Sequence, residues 1–146
     1  MRNAPVFIIK ALVIAVLLIP LTPIQATDSE SAITVHLQQA VDANCDGVSD
    51  SAFSSSGNKF TILPQQCVIY KITAQNLSNQ YLTNITLTGN IPQYTQLQPN
   101  SISVYENEKL RPAVAYQSVN SAQVKAEQMT LAPFKTLNMI YSILIN

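Results

Sequence analysis

The sequence predicts an all-β fold, an immunoglobulin-like antiparallel β-sandwich, preceded by a cleavable signal peptide. Three observations lead to this prediction. Short segments alternate apolar and polar residues with a period of two, turn-forming residues separate these segments, and no span longer than about ten residues has a convincing helical period. A chain of 146 residues usually forms one domain, so a single sandwich accounts for the length.

The composition excludes several functional classes. Hydrophobic residues make up 47% of the chain, which argues against global disorder. Lys plus Arg equals Asp plus Glu, at 8 each, so there is no basic surplus to hold the phosphate backbone of a nucleic acid. Three glycines and no tryptophan argue against a glycine-rich phosphate cradle and against a tryptophan-based binding platform.

The first 26 residues are organised like a secretory signal peptide. A basic start leads into an apolar stretch, residues 11–19, and a helix-breaking proline and a small residue follow it. Cleavage is predicted between Ala26 and Thr27. The alternative is an uncleaved membrane anchor, but a membrane-spanning helix needs about 20 apolar residues. Lys10 and Pro20 bracket a much shorter stretch.

Cleavage leaves a polar linker, residues 27–32, and a domain, residues 33–146, which together carry 6 basic and 8 acidic residues. The exported chain is expected in the periplasm, at the cell surface or outside the cell. Both cysteines, Cys45 and Cys67, remain in it. In an oxidising compartment an even pair most simply forms one disulfide, whereas a zinc site needs more Cys and His ligands than the chain has.

The strands are predicted in chain order from alternating segments. In the first, Ile33, Val35 and Leu37 share the half-buried face and His36 lies on the solvent side. A loop rich in Asp, Ser, Asn and Gly spans 42–58. The segment 124–131 also admits a helical turn, but its neighbours favour a strand. The apolar last segment must pair inside a sheet, since it would otherwise be an exposed, aggregation-prone edge strand. The predicted strands span 33–38, 67–75, 81–88, 101–105, 113–119, 124–131 and 137–145.

Several stretches occur in an order that is typical of one family. They are DANCDG at 42–47, LPQQCVIYKITAQN at 63–76, LTNITL at 82–87, NIPQYT at 90–95, LAP at 131–133 and IYSI at 140–143. Together they resemble the conserved-repeat domain of prokaryotic cell-surface proteins, domain of unknown function eleven. The resemblance covers 33–146. It implies an immunoglobulin-like module of an exported protein, often in tandem, with Cys45 and Cys67 paired and no established enzymatic activity.

The acidic loop admits two interpretations. Four oxygen-bearing side chains surround a glycine in the order that begins a calcium-binding loop, and these possible metal ligands are Asp42, Asn44, Asp46 and Asp50. The EF-hand version needs a glutamate at the twelfth position, where Phe53 stands. The interpretation that we favour is an Asx-rich turn, in which these side chains cap the backbone without a cofactor. Calcium binding by these four side chains is the other interpretation.

Catalysis is not supported by the sequence. His36 is the one histidine, no nucleophile-elbow motif accompanies the serines, and both cysteines are predicted to be bonded. The tyrosines fall mostly on strand faces, where core packing explains them better than a sugar-stacking platform. Two glycosylation sequons begin at Asn76 and Asn84, and in a bacterial protein both are accidental. Charged residues near 106–111 are interpreted as a solvated hairpin tip.

The function predicted is that of an exported, non-catalytic β-sandwich module with a structural or protein-interaction role at the cell envelope. Its partner is an unknown protein or envelope component, with no nucleic acid and no membrane span after signal removal. Two alternatives stay open. One is a fimbrial-type subunit that exchanges strands through 33–37 or 137–145. The other is a small accessory module that binds calcium or a carbohydrate.

Overall fold

The structure is a computed structural model that describes residues 32–55, 61–111, 115–117 and 122–146. The predicted signal peptide, its cleavage site and most of the linker lie outside these residues. In the described part of the chain all regular secondary structure is β, and no helix there is long and apolar enough to cross a membrane. The strands are β1 (Ile33–Asp42), β2 (Cys67–Asn76), β3 (Leu82–Asn90), β4 (Thr95–Leu97), β5 (Ser103–Glu106), β6 (Lys109–Arg111), β7 (Ala115–Gln117), β8 (Gln123–Leu131) and β9 (Thr136–Ile145).

The strands form two antiparallel sheets that enclose one core. The larger sheet has the order β1-β2-β9-β5-β6, with β4 also paired to β9, and the smaller sheet has the order β3-β8-β7. β9 pairs with β2 from Cys67↔Leu144 to Gln75↔Thr136, and with β4 and β5 on its other side. The apolar last strand is therefore inside a sheet, as its pattern predicts. The all-β prediction is confirmed.

The core lies between the sheets because alternate residues of each strand point inward. The inward side chains of β9 are buried at every second position from Leu137 to Ile143. Tyr141 is the largest of them, and its ring stacks on Tyr70 with 5.3 Å between centroids. The other buried core residues include Val68, Ile72, Ala74, Leu87, Val104, Val124, Ala126, Met129, Leu131 and Met139.

Gly89 of β3 gives the Tyr141 ring its space. A Cβ at position 89 would lie 2.5 Å from Tyr141 Cε1 and 2.6 Å from its hydroxyl oxygen, which donates a hydrogen bond to Asn90 O at 3.0 Å.

We expect Gly89→Ala to lower the free energy of unfolding by about 2–3 kcal/mol, because the ring must leave its stacked position. Urea denaturation measures this loss. Gly47→Ala is not a suitable control, since Gly47 has a φ of 86°. Thr88→Ala, at an exposed neighbouring position, should change stability by less than about 0.5 kcal/mol.

The prediction that Val35 and Leu37 lie on a half-buried face is wrong. Both point to the inner side of the larger sheet, opposite Ala74 and Ile72, but they are 59% and 53% exposed. β1 is an edge strand, and the contacts that join the two sheets run mainly between β2 and β3 and between β8 and β9. The three-stranded sheet therefore leaves the inner face of β1 uncovered at Val35 and Leu37. Alternation in sequence identifies a strand face but not whether a second layer covers it.

Other strands differ from prediction in their limits. The short β4 and β6 were not predicted, because three residues carry too little pattern. β3 begins at Leu82 and has register shifts before and after Ile85, so the preceding Tyr81 is exposed rather than part of its face. β7 is a strand within the predicted 113–119, whose flanks fall outside the described residues. The ambiguous 124–131 segment is a strand, β8.

Candidate functional site

The acidic loop after β1 is tied to β2 by a disulfide. Cys45 and Cys67 are joined with an S–S distance of 2.07 Å and 5.2 Å between their Cα atoms. Cys67 is fully buried at the start of β2, opposite Asp42 at the end of β1. Cys45 adopts a φ of 59°, which turns the chain back towards the sheet. The disulfide and the β1–β2 ladder therefore hold the base of the loop from two sides.

Asp42 organises the turn that follows it. Its carboxylate is fully buried and accepts hydrogen bonds from the backbone N–H groups of Asp46, at 3.1 Å, and Gly47, at 2.9 Å. A buried carboxylate needs such partners because an unsatisfied buried charge is costly. The two oxygens of Asp42 are thus used to close the loop backbone.

The other three predicted ligands also bond within the loop. Asp46 accepts from Val48 N at 2.8 Å and from Asn44 Nδ2 at 2.9 Å. Asp50 accepts from Ala43 N at 2.7 Å. Side-chain oxygens that bond backbone N–H groups two residues on, as Asp46 does, form Asx turns. In the described part of the chain no three His, Cys, Asp or Glu side chains are grouped to hold a metal ion. The contacts within the loop are those that the Asx-rich turn requires.

Replacing Asp42 separates the two interpretations. We expect Asp42→Asn to lower the free energy of unfolding by about 1–3 kcal/mol, because an amide NH₂ then faces a backbone N–H without an acceptor. Thermal unfolding with and without millimolar calcium chloride measures both effects. The turn interpretation predicts the same loss in both conditions and no calcium-dependent rise in the melting temperature of the unmodified chain. A calcium-dependent rise that Asp42→Asn abolishes would restore the metal site.

The loop packs over the outer face of the larger sheet. Gln39 and Ser54 exchange two backbone hydrogen bonds of 2.9 Å, and the Lys71 ammonium lies 4.4 Å from the centre of the Phe53 ring. A groove of about 350 Å³ runs between the loop and β5. Ile69 and Ile140 lie along it, with Phe53 and Tyr105 among its aromatic neighbours. The side chains that line this groove are uncharged.

The other predicted site residues are dispersed. His36 is exposed on β1 opposite Thr73, as predicted. The charged hairpin tip is the β5–β6 turn, in which Arg111 pairs with Glu106 at 2.6 Å and remains 44% exposed. Of the tyrosines assigned to packing, Tyr81 and Tyr94 are instead exposed. The side chain of Tyr116 lies outside the described part of the chain.

Asn76 has a structural role that the sequence did not reveal. Its side chain is fully buried, and Nδ2 donates to Gln80 O at 2.7 Å, Ala132 O at 3.0 Å and Leu131 O at 3.2 Å. Its Oδ1 accepts from Ser78. Asn76 therefore joins the β2–β3 and β8–β9 connections at one end of the sandwich. The burial also leaves no room for a glycan on Asn76 in the folded chain.

Burial shifts the ionisation of the stacked tyrosines. Desolvation, followed by the charge of the neighbouring Tyr70, raises the pKa of Tyr141 to about 12, and desolvation raises the pKa of Tyr70 as well. The folded state therefore holds the Tyr141 proton more tightly than the unfolded chain, where its pKa is 10.0. This contribution to stability is complete below about pH 10 and is lost as the pH rises towards 12.

Alkaline titration checks this shift. We expect the phenolate absorbance of the stacked pair, Tyr70 and Tyr141, near 295 nm to develop late, at the pH where folded structure is lost. Tyr141→Phe should remove part of the late stage. Ionisation of Tyr141 near pH 10 in a folded chain would contradict the stacked, buried geometry.

No protein-family model and no curated protein matches this chain. Among solved structures, the chain is similar to the pilus backbone (RRGB) from Streptococcus pneumoniae, with a TM-score of 0.48 and 10% sequence identity. The similarity covers 77% of this chain and 46% of that chain, so this chain spans less than half of that protein's length. We draw no functional conclusion from this likeness.

Proposed function

We propose that this chain is an exported, immunoglobulin-like module without catalytic activity, with a structural or protein-interaction role at the cell envelope. The observation that carries the proposal is the disulfide between Cys45 and the fully buried Cys67. Disulfides of this kind form and persist in oxidising compartments and are rare in the cytosol. The signal-like first 26 residues and the resemblance to the conserved-repeat domain of cell-surface proteins support the same assignment.

The module acts by holding a rigid surface rather than by chemistry. Two packed sheets and a disulfide fix the positions of the connecting loops and of the edge strands, which are the surfaces that such domains present to partners. The loop carboxylates are engaged with backbone N–H groups. Its partner is a protein or another component of the envelope, and it carries no bound cofactor.

One observation supports the alternative of a fimbrial-type subunit that exchanges strands. Val35 and Leu37 lie uncovered on the inner face of the edge strand β1, where an added strand or layer would bury them. The last strand is a poor candidate for exchange, because β9 pairs on both sides and its inward residues form the centre of the core. Strand exchange, if it occurs, therefore involves β1.

Cell fractionation tests the proposed export. The full chain with a C-terminal epitope tag should be recovered outside the cytoplasm, and its cysteines should resist alkylation unless a reductant is added. Alkylation is carried out after denaturation, because Cys67 is fully buried in the folded chain. The matched control lacks residues 1–26, and it should remain in the cytoplasm with both thiols alkylated without a reductant. Cytoplasmic retention of the full chain, with free thiols, would overturn the proposal.

A further inference from the structure

Exposed large apolar side chains lie at both ends of the sandwich, in addition to those on β1 and β6. At one end, Leu77, Tyr81 and Phe134 are 47%, 69% and 66% exposed. They lie in the two connections that Asn76 joins, and we call this surface the Phe134 end. At the other end, Leu63 and Tyr94 are 56% and 83% exposed. Tyr94 O accepts a hydrogen bond from Asn146 N, and we call this surface the Tyr94 end.

The backbone holds one aromatic residue at each end in a costly conformation. Phe134 has a φ of 58° and Tyr94 a φ of 61°. This left-handed region favours Gly and Asn, and it costs other residues about 1–2 kcal/mol. Folding alone would favour asparagine at both turns. Gln65 and Glu108 share this conformation, so these two turns differ from the others in presenting an exposed aromatic ring that a partner can contact.

The charged residues described at or next to the two ends also differ in sign. Two lysines, Lys109 and Lys135, and one acid, Glu108, lie near the Phe134 end. Glu106 and Arg111 also lie there, but they form an ion pair with no net charge. On the Tyr94 side the acidic loop carries the exposed Asp46 and Asp50. The described connections there contain no Lys or Arg. An apolar, basic end and an apolar, acidic end are complementary to each other and not to themselves.

The chain enters and leaves the sandwich at these opposite ends. Ala32 O accepts a hydrogen bond from Leu77 N at the Phe134 end, whereas Asn146 lies at the Tyr94 end. A contact between unlike ends therefore stacks copies along the strand direction. Such a contact is heterologous, so it leaves one free end on each side of any stack.

We propose that the chain self-associates head to tail, with the Tyr94 end of one copy against the Phe134 end of the next. This inference rests on the proposed function and specifies its partner as a second copy of the same chain. Tyr94 and Phe134 anchor the junction through their apolar surface. The lysines of one end face the acidic loop of the other, so the association weakens as salt screens these charges.

Two single variants and their mixture test the proposal. Phe134→Asn and Tyr94→Asn each place asparagine at a φ that it tolerates well, so both should fold at least as stably as the unmodified chain. Sedimentation velocity of the exported chain over a concentration series should give oligomers that grow with concentration. Each variant alone should raise the dissociation constant by about tenfold or more.

The mixture distinguishes unlike-end contacts from other modes. Phe134→Asn keeps an intact Tyr94 end and Tyr94→Asn keeps an intact Phe134 end, so together they should form a one-to-one dimer that does not extend. The matched control, Leu110→Gln, removes an apolar residue that is 63% exposed on β6 and belongs to neither of the apolar groups that define the two ends. It should leave self-association unchanged.

Three results would overturn the proposal. An exported chain that stays monomeric at every concentration would do so while leaving the envelope module standing, whereas cytoplasmic retention contradicts the proposed function itself. Dimers that Tyr94→Asn forms alone, with no restoration on mixing, would indicate like-end contacts. Loss of association in Leu110→Gln, but not in the end variants, would place the junction on the side of the sheet.

Discussion

Replacing Asn76 with alanine should lower the free energy of unfolding by about 4 kcal/mol, one of the two largest effects that we expect. The change removes the three hydrogen bonds that Nδ2 donates to Gln80 O, Leu131 O and Ala132 O. At least one of these carbonyls is then left buried without its partner, since the bond to Leu131 O is itself buried. Two connections at the Phe134 end lose their link in the same step.

Urea denaturation of the oxidised chain measures this loss. Asn79→Ala is the matched control, because Asn79 is the same residue type, is exposed in the same loop and should change stability by less than about 0.5 kcal/mol. Asn76→Asp keeps the acceptor for Ser78 but replaces the donors, so it should be about as damaging as alanine. Equal stability of the Asn76 and Asn79 variants would show that the side chain does not hold the two connections together.

Removing the disulfide is the second large effect. The double variant Cys45→Ala, Cys67→Ala should lose about 3 kcal/mol, because a cross-link across this separation of 22 residues restricts the unfolded chain. Alanine suits the fully buried position 67, where it adds no polar group. The strands should remain, since β2 is also held by pairing with β1 and β9.

Chemical denaturation with and without reductant checks the disulfide prediction. The reduced unmodified chain and the double alanine variant should unfold at similar denaturant concentrations, both well below the oxidised chain. Circular dichroism should report the same β content for all three. A double variant as stable as the oxidised chain would mean that the disulfide does not constrain the unfolded state and does not contribute to the free energy of unfolding.

Strand identity was largely predictable because the core is arranged by local alternation. The period-two pattern of Leu137 to Ile143 places those side chains in the core, and the inward residues of β2 follow the same rule. In β8 the buried positions change phase between Ala126 and Met129, where the pairing with β3 shifts register. Burial of an edge strand was not predictable. Val35 and Leu37 alternate as core residues do, but their exposure depends on the width of a second sheet formed by distant residues.

The loop was predictable in part and the ends were not. The spacing of Asp42, Asn44 and Asp46 indicates a tight loop, but it does not specify which backbone N–H group each oxygen accepts from. The role of Asn76 depends on carbonyls more than fifty residues away in sequence. The positive φ of Tyr94 and Phe134 has no local signal, because neither residue type favours it.

The intact mass of the chain recovered from outside the cytoplasm, measured without reductant, tests the central claim most directly. The account predicts a polypeptide that starts at Thr27 and is lighter by two hydrogens than its reduced form, as the Cys45–Cys67 bond requires. A mass that retains residues 1–26, or one that matches the fully reduced chain, would contradict an exported sandwich closed by a disulfide.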